Sequence, residues 1–480
     1  MKYGAPLAAL AALVAPLAAA AAVSSSSADP TPVYTTIEPS LSEIEAAAAT
    51  AVVGEETSDV DGLYFKRMFV IWLENTDFEA ADTQADLEWL AQYGVKLTNY
   101  FSVTHPSEPN YLAAVAGDYF GMDSDAFFQI PKNVSSIVDL LDSKNISWAE
   151  YQEHQPYAGY QGFNYSNQET YANDYVRKHN PLILFENIVN NASRLDNIKN
   201  FTSFYDDLDN EQLPQWAFIT PNMTNDGHDS TIDVSGAWSR SFLEPLLNNS
   251  YFMEDTLVLL TFDENENYAI QNRVYALLLG GAVPEALQGT EDDTFYNHYS
   301  EIATVEANWD LPHLGRGDFD ANVFALVAGD LSIASSEIDY SNIYNNKSAP
   351  GYYNDDTIPI PPPNVDVTNR NGQSILPAIK SVWGEKYASY TAESFTYSTE
   401  TDNFASSTGA FTASSVTETA SATSDASSGS ASATSAAASS SSVAASSSTA
   451  ASSSSSAGAA FGAAPATGLV GLVLAALAMI

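Results

Sequence analysis

In the run Thr104-His105-Pro106-Ser107-Glu108-Pro109-Asn110-Tyr111, a serine hydroxyl stands at the edge of a predicted helix, Asn110 to Val115, which Gly117 ends. A helix N-terminus presents unpaired N–H groups and the positive end of the helix dipole, and so suits a phosphate-like oxyanion. Serine is also an ordinary N-cap, so a chemical role requires partners that activate its hydroxyl. Four other short groups supply candidates: Glu74-Asn75, Asp263-Glu264, the loop Asn222 to Asp229 with Asp226 and His228, and His298-Tyr299-Ser300. Taken singly, each is an ordinary turn or surface feature. Hard oxygen donors that recur after separate apolar segments suit one divalent cation, and a histidine among them adds a ligand or a proton donor. Lys178-His179-Asn180-Pro181 adds a cation and further donors, or else caps the helix that follows.

These residues need elements to bring them together. Lys66 to Leu73, Gln215 to Thr220, Thr256 to Phe262 and Arg273 to Leu279 are apolar runs of strand length. Near-continuous apolar strands imply burial on both faces, as in parallel sheets. Helical stretches are predicted at Ala81 to Tyr93, Ser135 to Leu141 and Leu182 to Val189. This alternation predicts an α/β, doubly wound fold with a largely parallel central sheet flanked by helices. Ligands in such folds sit beyond the carboxyl ends of the strands, where acidic or amide groups follow three of the four runs.

The rest of the chain narrows the setting. Residues 1–22 read as a secretory signal, with Lys2 ahead of an Ala/Leu-rich run. Residues 23–62 read as a mobile N-terminal segment, 63–390 as the catalytic domain, and 391–457 as a Ser/Thr/Ala-rich O-glycosylated stalk. Residues 458–480 read as the signal for a glycolipid (GPI) anchor. An extracellular protein held at the outer membrane leaflet or the cell wall is therefore expected. Eight Asn-x-Ser/Thr sequons, at Asn133, Asn145, Asn164, Asn191, Asn200, Asn222, Asn248 and Asn346, predict N-linked glycans. Sixty acidic against 17 basic residues leave no basic face for a nucleic acid. The absence of cysteine removes disulfides, thiolate catalysis and thiolate-bound zinc.

Glu74-Asn75, Pro106 to Tyr111, Asn225 to Asp229, Thr261 to Glu264 and His298 to Ser300, in this order, resemble the phosphoesterase family of fungal secreted acid phosphatases and bacterial phosphatidylcholine-type phospholipases C. The resemblance spans roughly residues 65–385 and extends to the alkaline-phosphatase-like superfamily. It implies Ser107 as a nucleophile forming a phosphoseryl intermediate, with the Asn110 amide holding a phosphoryl oxygen; His105, Lys178 and His179 are expected to bind the phosphate beside it. It further implies His228 and His298 acting on the leaving group or phosphate, and Glu74, Asn75, Asp263, Glu264 and Asp226 binding metal. Glu264 stands where the superfamily carries histidine, which favours one hard divalent cation (zinc, magnesium or calcium) over a two-zinc site. The expected activity is hydrolysis of small phosphate monoesters at acidic pH for extracellular phosphate scavenging. A phospholipase C-type phosphodiesterase and a catalytically inactive cell-wall glycoprotein are the alternatives.

Overall fold

The computed structural model describes residues 37–55, 57–355 and 357–387, together with four short strands between 391 and 415. Ten strands precede them: β1 (Arg67–Leu73), β2 (Val95–Phe101), β3 (Trp148–Gln152), β4 (Asn164–Ser166), β5 (Asn173–Val176), β6 (Ile198–Asn200), β7 (Trp216–Thr220), β8 (Thr256–Phe262), β9 (Arg273–Leu279) and β10 (Thr290–Asn297). Eight of these form one sheet in the order β10-β2-β9-β8-β1-β7-β3-β6, and β4 pairs with β5 in a separate ribbon. Strands β1, β7 and β8 are buried along nearly their whole length, as their apolar sequences predict.

Seven strands of the sheet run parallel and β9 runs against them. The sequence reading took Arg273 to Leu279 for a parallel strand. Only residues 263–272 join it to β8, too few for the crossover that a parallel neighbour requires. Four strands of the sheet escaped that reading because their sequences are polar. Glu150 and Gln152 lie buried within β3, and the first half of β10 is acidic and largely exposed. The predicted helix from Ala81 to Tyr93 is two, Phe78–Asp82 and Ala85–Ala91, because the Gln84 side chain accepts from the Asp86 and Leu87 amides and starts a new one. Leu182 to Val189 is a 3-10 turn followed by a single helical turn.

The serine helix begins earlier than predicted. It spans Ser107–Ala116, every residue of it buried, with Gly117 at a φ of 71° as its left-handed end. A second buried helix, Tyr299–Trp309, packs beside it. Asn308 of that helix secures the chain ahead of β1: its side chain accepts from the Tyr64 and Phe65 amides and donates to the Phe65 carbonyl.

Residues 37–55 and 57–62 fall within the segment expected to be mobile, and polar contacts tie them down. Glu38 accepts from Asn164 and Ser166, Gly54 N–H donates to Asp196, and Ser58 and Val60 donate to Gln215. Two antiparallel pairs, Thr391–Ser394 with Thr412–Ser415 and Thr396–Glu400 with Asn403–Ser406, fall where the sequence predicts an unpacked stalk. The predicted signal and anchor segments, and the remainder of the stalk, lie outside the described residues. Among the sequons, Asn145, Asn191 and Asn248 are exposed. Asn222 and Asn346 are buried with their amides in hydrogen bonds.

Several carboxyls are buried away from any charge partner. Burial pushes Glu150 up to about 8, and burial with Asp318 nearby pushes Glu306 well above the usual range. Between the ordinary carboxyl value and these raised ones, the folded chain keeps protons that the unfolded chain has lost. Stability contributed by these groups is therefore complete in mild acid and lost as pH rises, by up to about 1.4 kcal/mol per pH unit for each group. The urea midpoint is expected to fall from pH 5 to pH 8, with a shallower fall in Glu150→Gln; a midpoint that rises over this range would contradict the assignment.

Candidate active site

The parallel pairing of β1 with β7 and β8 puts the carboxyl ends of three central strands side by side, with Leu73 opposite Phe262 and Ile71 opposite Ile219. Two further backbone bonds extend this register past the strands: Glu74 N–H donates to the Asp226 carbonyl at 2.9 Å and Asp263 N–H to the Leu73 carbonyl at 3.1 Å. Glu74, Asp226, Asp263 and Glu264 are thereby gathered at one sheet edge, all fully buried. The serine helix points its first turn at them. Ser107 Oγ donates to Glu74 Oε2 at 3.2 Å and also lies against the Asp263 and Glu264 carboxyls.

So many buried carboxyls are held with few counter-charges. Burial raises Glu74 to about 7, and burial with neighbouring carboxylates pushes Asp226, Asp263 and Glu264 well above their usual range. Both oxygens of Asp263 and Oδ2 of Asp226 are buried without a hydrogen-bond donor. Orphaned carboxylate oxygens in a buried cluster are the donor set of a divalent cation, which would supply the missing positive charge. Glu74, His179 and His228 have ligand atoms mutually within 4.8 Å. His179 bridges the cluster, with Nε2 at 3.0 Å from Glu74 Oε1 and Nδ1 at 3.4 Å from Asp226 Oδ2. Burial, then Lys178 and His228, drive its pKa well down, so the ring is neutral and its nitrogens suit a metal. His179 thus sits among the carboxyls rather than at a helix cap.

Lys178 and His228 form the more open side. Lys178 Nζ is 3.1 Å from His228 Nε2 and 3.1 Å from Asp125 Oδ2. Burial pulls Lys178 down, but Glu74 and Asp125 more than offset it, and the ammonium stays charged. His228 Nδ1 is 2.8 Å from Asp229 Oδ1 and its backbone N–H donates to Asp226 Oδ1, so the loop's own acids orient the ring.

Four predicted site residues take other roles. Asn110 donates both amide hydrogens to the Thr104 and Pro106 carbonyls and accepts from the Val103 and Thr104 amides. Its amide is committed to fixing the turn ahead of Ser107, leaving no donor for a phosphate oxygen. His298 is fully buried, with Nε2 donating to the Asp263 carbonyl at 2.7 Å and Nδ1 facing Tyr100 Oη. It steadies the strand end that carries Asp263 and does not reach a leaving group. His105 is buried with Nδ1 at 2.5 Å from Glu264 Oε2, and burial lowers it to about 3. Asn75 donates to Glu264 Oε1 at 2.8 Å and orients that carboxyl.

The sequence reading missed Tyr111 and Asp125. Tyr111 Oη donates to Glu74 Oε1 at 2.6 Å, and its place one turn along from Ser107 was the available signal. Asp125 accepts both Lys178 and the Glu108 N–H in the first turn of the serine helix, but comes from a loop with no periodic pattern.

The phosphoesterase family model matches residues 67–312. A protein of Kluyveromyces lactis named as a probable acid phosphatase is 62% identical over 362 residues, covering 75% of this chain and 86% of that one. An acid phosphatase of Aspergillus fumigatus is 59% identical over 314 residues, covering 65% of this chain and 70% of its own. The phosphatidylinositol-3-phosphatase of Mycobacterium tuberculosis is 30% identical over 229 residues, covering 47% and 70%. Among solved structures, an alkaline phosphatase superfamily protein from Vibrio parahaemolyticus covers 61% of this chain and 78% of its own at 12% identity, with a TM-score of 0.36. With the family match extending from β1 through the Tyr299–Trp309 helix, the chain belongs to the phosphoesterase family.

Proposed function

We propose that this chain is an acid phosphatase that hydrolyses phosphate monoesters through a phosphoserine formed on Ser107. The observation that carries the reading is the Ser107 hydroxyl at a helix start, bonded to Glu74 within a buried carboxyl cluster that includes His179. The fungal relatives at 53–62% identity bear acid phosphatase names, in keeping with it.

Glu74, Asp263, Asp226 and His179 would hold a divalent cation, with Glu264 in support through Asn75 and His105. When bound, such an ion lowers the pKa of a nearby hydroxyl and offsets phosphate charge. Glu74 Oε2 receives the Ser107 proton as Oγ attacks phosphorus in line. Lys178 holds a phosphoryl oxygen and is fixed by Asp125, which also accepts from the Glu108 N–H beside the serine. The ester oxygen departs on the opposite face and takes a proton from His228, which Asp229 keeps oriented. Water then attacks the phosphoserine, giving one proton to His228 while the Ser107 oxygen recovers its proton from Glu74. Secretion with a glycolipid anchor, for scavenging phosphate outside the cell, completes the proposal.

Ser107→Ala is expected to lower kcat for a small aryl phosphate by at least about a thousandfold with the fold intact. Acid-quenched wild-type enzyme should yield a peptide carrying phosphate at Ser107; equal turnover in the variant would remove the nucleophile. Chelation should abolish activity and a divalent ion should restore it, while Asp263→Asn should lower bound metal measured by elemental analysis. Full activity in metal-free protein would exclude the ion from the reaction.

A further inference from the structure

Tyr268 lies on the loop joining β8 to β9, four residues past Glu264. Its ring stacks on His105, with centroids 3.7 Å apart and planes inclined by 29°. Its hydroxyl is 3.5 Å from Glu264 Oε1, on the carboxyl that lies against Ser107. His105 beneath it is 4% exposed, whereas Tyr268 is 46% exposed, so one face of the ring is covered and the rest is open, with Glu264 standing between its hydroxyl and Ser107.

The loop that carries this half-exposed ring is fixed from several sides. The buried Asn346 donates to the Tyr268 carbonyl at 2.6 Å and to the Ile270 carbonyl at 2.7 Å. Asp77 Oδ1 accepts from the Asn267 N–H at 2.9 Å and from Asn265 Nδ2 at 3.2 Å. Asn265 Nδ2 also donates to the Asn267 carbonyl at 2.9 Å. A fixed aromatic face attracts a flat ring in an offset stack and offers much less to a flexible alkyl chain.

We propose that Tyr268 is a specificity-determining residue whose open face stacks on the leaving group, so that the site favours monoesters of aryl alcohols over alkyl phosphates. The inference rests on the phosphatase reading above. The phosphoryl group is common to both ester classes, so the ring acts on their ratio rather than on the phosphoryl chemistry.

The test compares kcat/KM for 4-nitrophenyl phosphate and glycerol 2-phosphate, with inhibition by inorganic phosphate, in the wild type, Tyr268→Phe and Tyr268→Leu. The leucine variant is expected to lower the aryl-to-alkyl ratio about tenfold, the loss of one aromatic stack. The phenylalanine variant should keep the wild-type ratio, and the phosphate inhibition constant should stay within about twofold in both, which also reports an intact site. An unchanged ratio in the leucine variant would overturn the inference, as would parallel losses on both esters with weakened phosphate inhibition, the mark of a ring that only supports His105. Wild-type protein that turns over neither ester would overturn the phosphatase reading and this inference with it.

Discussion

Four carboxyl groups are buried at one edge of the central sheet, and the described residues around them supply too little positive charge to balance them. Lys178 faces the cluster from the outside, and His179, inside it, is neutral. Isolated carboxylates withdrawn from water are costly unless paired or bound to metal. Much of the surrounding structure follows from keeping this group together. The strand register sets Glu74 beside Asp263, Tyr111 and Ser107 donate to Glu74, and Asn75 and His105 engage Glu264.

The sheet makes that crowding sustainable. Strands β1, β7 and β8 are central and apolar, so hydrophobic burial on both faces can hold strand ends that electrostatics would push apart. The backbone bonds that run on past the strands, from Glu74 to Asp226 and from Asp263 to Leu73, leave the carboxyl-bearing backbone little freedom. His298 adds a further restraint on the Asp263 carbonyl, itself braced by Tyr100 and Glu301. Pre-organisation of this kind is what a charged transition state requires, because the groups need not rearrange as charge develops.

The residues best read from sequence were those at the ends of uniformly apolar strands. Glu74 and Asp263 follow runs whose period and length leave little choice of element, so their place at one sheet edge was legible. Ser107 was legible from its place ahead of a helix, although the helix starts at the serine itself rather than at Asn110. What the sequence concealed depends on side-chain direction. Asn110 looks like a phosphate donor until its amide is found closing its own turn, and His298 looks like an acid until its ring is found against a carbonyl. Lys178 and His179 are adjacent but face different partners, Asp125 and the carboxyl cluster, and no spacing rule separates them. Strand β10 and the antiparallel β9 were hidden for the opposite reasons, one too acidic to resemble a strand and the other too apolar to reveal its direction.

The most direct measurement of the central claim is an anomalous-difference map from crystals of the protein grown with a divalent transition metal. One strong peak bonded to Glu74 and Asp263, beside Ser107 and with His179 turned to it, is the expected result. A map without a peak there, with the Asp263 carboxyl hydrogen-bonded to protein donors instead, would contradict the view that a cation holds this cluster together.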